Sequence, residues 1–170
     1  MKRYLALAAL LGAFSGSAVF GFAPLCATVR VSSGSLYDYV VLGEHPKATE
    51  GFDNAYDTIS PGNLNAAMGE PFISVVVAHP DWKPAMRELR GDVRLPGKRE
   101  QWRVAVTSSL PKGTPLKVAL AGEESTLPGG ARLLLSRDRK ETELSGKGAY
   151  TLPAPGPGTT TTIFITLEQP

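Results

Sequence analysis

From residue 72 onward the chain is a series of short β-branched runs, each cut off by Gly or Pro, and that punctuation restricts it to sheet. The closing run T-T-T-T-I-F-I-T-L (159–167) places Thr161, Ile163, Ile165 and Leu167 on one face. Q-W-R-V-A-V-T (101–107) does the same with Trp102, Val104 and Val106, and Leu116 to Leu120 repeats the alternation after the Pro111-Lys112-Gly113 turn. Further strands are expected at 36–42, 72–78, 131–135, 141–144 and 150–152, with Ser136 to Lys140 as a charged hairpin tip. Seven to nine short strands between turn signals predict an antiparallel β-sandwich. Its expected core is Tyr39, Val75, Val77, Trp102, Val104, Val118, Leu133, Leu135, Ile163 and Ile165. Only Pro84 to Leu89 has a helical pattern, of two turns at most.

The other end of the chain reads as an address. Met1-Lys2-Arg3 is a positive n-region, and Tyr4 to Ala23 carries no charge and ends in small residues. This is the pattern of a secretory signal peptide. Gly12, Ser15, Gly16, Ser17 and Gly21 interrupt the apolar run and no basic stop-transfer cluster follows, so cleavage after Ala27 or Ala23 is expected rather than a retained anchor. Leu25 is bulky where a lipobox requires a small residue before Cys26. The expected organisation is residues 1–27 as signal peptide and 28–170 as one domain, with 28–71 as an N-terminal layer. Cleavage after Ala27 removes the only cysteine, and with it any disulfide, thiol nucleophile or Cys-ligated metal. It also takes two of the 18 basic residues, leaving 16 against 16 acids. A neutral mature chain argues against nucleic acid as a partner, and no membrane span is expected in it.

Chemistry-bearing residues concentrate in A-T-E-G-F-D-N-A-Y-D (48–57), which holds Glu50, Asp53 and Asp57 around Gly51. Carboxylates and a glycine bend are the ingredients of a calcium loop, although the spacing is not that of an EF-hand. Held across a cleft, the acids would serve a secreted hydrolase. A structural reading needs less: Gly51 turns the chain, Asp53 accepts backbone N–H bonds, and Phe52 and Tyr56 anchor the loop in the core. His45 and His79 both precede prolines, match no zinc spacing and have no G-x-S-x-G elbow to serve. No cofactor other than calcium is indicated.

Lys83 to Arg103 carries seven basic residues against three acids. It reads either as a cationic face containing Arg87, Arg90 and Arg94, or as a solvated connection whose charges discourage edge pairing. Trp102 is in phase with a core face, whereas Trp82, in H-P-D-W-K-P, is the one tryptophan placed for ligand stacking.

The string V-V-L-G-E-H-P-K-A-T-E-G-F-D-N-A-Y-D, followed by H-P-D-W, then W-R-V-A-V-T-S-S-L-P-K-G-T-P-L-K-V and L-P-G-G-A-R-L-L-L-S-R-D, resembles the immunoglobulin-like (FlgD-like) β-sandwich modules of secreted and surface-attached bacterial proteins. Glu50 stands where that pattern has Asp, and Ala119-Leu120-Ala121 lacks its strand tryptophan. The resemblance implies a non-enzymatic module acting in the periplasm, at the outer surface or outside the cell. Its partner would be a protein or a surface polysaccharide, and a carbohydrate-binding module using Trp82 is the alternative.

Overall fold

The computed structural model describes residues 25–83, 86–144 and 148–170, with the side chains of Met86 and Arg87 outside that description. The apolar leader at 4–23 therefore lies outside the described residues. The chain is all-β. In order come β1 (Leu25–Ser33), β2 (Leu36–Glu44), β3 (Thr58–Ile59), a four-residue helix α1 (Leu64–Ala67), β4 (Ile73–His79), β5 (Met86–Arg94), β6 (Arg99–Ser108) and β7 (Pro115–Leu120). A short 3-10 turn at Gly122–Glu124 precedes β8 (Arg132–Arg137), β9 (Lys140–Glu143), β10 (Ala149–Pro153) and β11 (Thr160–Glu168). All eleven strands join in one sheet, ordered β10-β7-β1-β2-β5-β4-β6-β11-β8-β9 with β3 added to β5, and the sheet curls nearly into a barrel. No helix among the described residues is long and apolar enough to cross a membrane.

Tight turns set the register. Ser33 pairs with Leu36 across Gly34, whose φ of +59° is the left-handed conformation that a two-residue hairpin requires. Arg137 pairs with Lys140 across Asp138 and Arg139, so the expected charged tip is a hairpin turn. Both of its residues have positive φ, 50° and 64°, without being glycine. Inside the sheet, Trp102, Val104, Val106, Val75, Val77, Val118, Leu133, Leu135, Ile163 and Ile165 are fully or almost fully buried.

Three sequence expectations are corrected, and one expected boundary falls inside a strand. Tyr39 is outside the core, because β2 points Val40 and Leu42 inward and one residue of phase reverses the face. Of the segment with the helical pattern, Met86 to Leu89 belong to a strand, β5, and Pro84 and Ala85 lie outside the described residues. This strand pairs with β4 at Leu89 and Met86, then runs parallel to β2 from Gly91 to Arg94, so the sheet is not wholly antiparallel. β1 starts at Leu25 and buries both Leu25 and Ala27. A cut after Ala27 would remove part of a core strand, whereas a cut after Ala23 leaves it whole. Finally, Phe52 only half-inserts against the core, and Tyr56 stacks on His45 at 4.5 Å instead of entering it.

β5 is a charged sequence in an interior position because its charges are neutralised inside the fold. Arg90 binds the Asp38 carboxylate and the Tyr39 carbonyl on β2, and lies over the Tyr39 ring at 4.9 Å. The second Asp38 oxygen accepts the Val75 N–H of β4 at 2.7 Å, so this ion pair ties three strands together.

Candidate ligand-binding groove

The residues of the 48–57 loop are committed to the loop itself. Asp53 Oδ1 accepts the Ala55 N–H at 2.9 Å, and the Asp53 carbonyl accepts the N–H groups of Tyr56 and Asp57. Asp57 uses both oxygens on backbone donors, the Asp53 N–H at 2.8 Å and the Val93 N–H of β5 at 2.9 Å. Burial pushes its carboxyl above the ordinary aspartate value; the two hydrogen bonds pull the other way, and the Asp92 and Asp53 charges add to the rise. Glu50 faces Glu100 electrostatically rather than joining them. Among the described residues no three His, Cys, Asp or Glu side chains are arranged to hold a metal ion. The loop is therefore a staple on β5, with Asp53 in the turn role expected of it.

The basic segment divides in the same way. Arg90 is the interior strut described above, and the Arg87 side chain lies outside the described residues. Arg94 is consumed by acids. Its Nη2 and Nε lie 3.1 and 3.3 Å from Asp92 Oδ2, Nη1 donates to the Gln101 carbonyl at 2.8 Å, and Glu100 is 3.7 Å away. The guanidinium lies 5.1 Å from the centroid of the buried Trp102 ring. Arg90 and Arg94 are each partly exposed, and each guanidinium answers a buried carboxylate.

Trp82 is where chemistry reaches solvent. His79, at the buried end of β4, puts Nε2 2.6 Å from Asp92 Oδ2, and Trp82 stacks on the imidazole at 3.7 Å with 11° between the planes. Trp82, His79, Asp92, Arg94 and Trp102 form one chain of contacts, with Asp92 and Trp102 fully or almost fully buried. A ring held flat in this way loses little freedom when a ligand stacks on it. Beside it is a cavity of about 340 Å³ lined by Ala78, Trp82, Gln101, Arg103 and Phe164 together with Arg94. Arg103 and Phe164 are opposite one another on β6 and β11 and both are exposed. Among the described residues no carboxylate pairs with Arg103. None of Glu50, Asp53 and Asp57 lines this groove.

Trp82 and Arg94 were legible as candidates, Arg103 as the last residue of the basic segment and His79 only as a weighed zinc or base residue; Gln101 and Phe164 were not. Phe164 had left a signal. With Ile163 and Ile165 inward, the ring between them must point out of a threonine-rich strand. No family model matches the chain, and neither a curated protein nor a solved structure gives a match.

Proposed function

We propose that the chain is an exported, non-enzymatic binding module of the bacterial cell envelope or extracellular surface, and that the Trp82 groove holds its ligand. The carrying observation is a partly exposed indole pinned flat on His79 beside an exposed Phe164 and an Arg103 that no carboxylate pairs among the described residues. Rings offer apolar faces, and the guanidinium and Gln101 offer directed polar groups, the mixture that binding sites use to fix orientation. Export is read from the uncharged leader at 4–23. We read the curled sheet as an immunoglobulin-like sandwich, with β10-β7-β1-β2 as one layer, β4-β6-β11-β8-β9 as the other, and β5 joining them. A surface polymer fits this groove better than the calcium or hydrolase alternatives, because Asp53 and Asp57, two of the three acids those would use, are spent on backbone N–H groups.

The test is retention on insoluble cell-wall and plant polysaccharides, with melting temperature measured in parallel. Trp82→Ala is expected to abolish retention and leave the fold intact, because the indole caps the core without filling it. Equal retention of the variant and the parent would remove the groove from consideration.

A further inference from the structure

We propose that the Trp82 groove is one end of a longer trough on the outer face of β4, β6 and β11, and that this trough takes several units of a linear polysaccharide. The inference rests on the groove reading above and adds the ligand class and the extent of the site. A second cavity, of about 430 Å³, is lined on one side by Ser74, Val76, Ala105, Thr107 and Thr160 of the same three strands and on the other by Ser60, Asn63, Ala66 and Glu88. No residue lines both cavities, but the pairing registers put their strand residues in successive rows of one face. Ser74, Thr107 and Thr160 are cross-strand partners, as are Val76, Ala105 and Thr162, and the next outward row carries Arg103 and Phe164. From Gln101 to Thr107 the outward positions of β6 extend about 20 Å.

Two features favour a glycan over a peptide. The hydroxyls of Ser74, Thr107, Thr160 and Thr162 have no hydrogen-bond partner among the described residues, so a row of them is free to exchange bonds with sugar hydroxyls. Ala78 and Ala105 keep the floor low between the rings at one end and the hydroxyls at the other.

The experiment is calorimetric titration of the mature protein with xylo-, cello- and chito-oligosaccharides of increasing length. A series that binds is expected to gain about tenfold or more in affinity between the dimer and the hexamer. Ala105→Phe fills the middle row from outside the core and should abolish that length dependence while short oligomers still bind; Thr162→Phe repeats the block from the neighbouring strand. A hexamer no tighter than the dimer, or block variants that behave like the parent, would overturn the trough and leave the groove standing. Peptide binding that depends on Trp82, with no oligosaccharide bound, would overturn the ligand class alone. Oligosaccharide binding unaffected by Trp82→Ala would instead overturn the groove reading.

Discussion

Removing the Asp57 carboxylate tests whether the acidic loop is a staple. Asp57 is 8% exposed and its two oxygens satisfy two backbone N–H groups, one within the loop and one on β5. In Asp57→Ala both donors lose their acceptor, and a stranded donor costs about 1–3 kcal/mol. Part of this is returned, because the carboxylate is itself held in a burying, negatively charged setting beside Asp92 and Asp53. The net expectation is a loss of about 2–4 kcal/mol, which for a domain of this size lowers the melting temperature by roughly 6–15 °C. Thermal unfolding followed by circular dichroism, with and without millimolar calcium, is the assay. Calcium should leave both proteins unchanged. A loss below about 1 kcal/mol would refute the staple, and a large calcium-induced rise in the parent that the variant lacks would show that the acids hold a metal.

Arg90→Met should cost about 2–4 kcal/mol in chemical denaturation, since it leaves the Asp38 carboxylate buried with only the Val75 N–H; adding Asp38→Asn should restore part of the loss. Arg139→Gly should raise stability by about 1 kcal/mol, because glycine adopts the positive φ of 64° without a Cβ penalty; an unchanged denaturation midpoint would contradict this. Burial is the leading cause that raises the carboxyl groups of Glu44, Asp57 and Glu100. A carboxyl raised in the folded state stabilises while protonated, and that stability is lost as pH rises through the folded pKa. The melting temperature should therefore increase as pH falls from neutrality toward the ordinary carboxylate range, and Glu44→Gln with Glu100→Gln should flatten the rise.

Strands with strict alternation were readable because their inward positions are aliphatic or Trp102, and β4, β6, β7, β8 and β11 were each placed to within about two residues. β5 was not readable, since M-R-E-L-R-G-D-V-R resembles a solvated linker until Asp38, His79 and Glu100 come from other strands to meet its charges. β1 was hidden because its first residues continue the apolar leader. Tyr39 misled for a different reason: an aromatic is a stronger core signal than Asp38, yet Asp38 occupies the inward phase because Arg90 neutralises it there. The site was legible at Trp82 and Arg94, and Phe164 showed only as the outward ring of its strand. What brings the groove together is cross-strand register, which places Phe164 beside Arg103 across 61 positions of sequence.

The most direct measurement is backbone amide chemical-shift mapping of the protein, titrated with the longest oligosaccharide of the panel described above. The perturbed amides should cluster at the outward positions of β4, β6 and β11, among them Ala78, Arg103, Ala105, Thr162 and Phe164, and around Trp82. Shifts confined to the 48–57 loop or to the β9 and β10 edges, or no shifts with any of the oligosaccharides, would contradict a ligand-binding face built on Trp82.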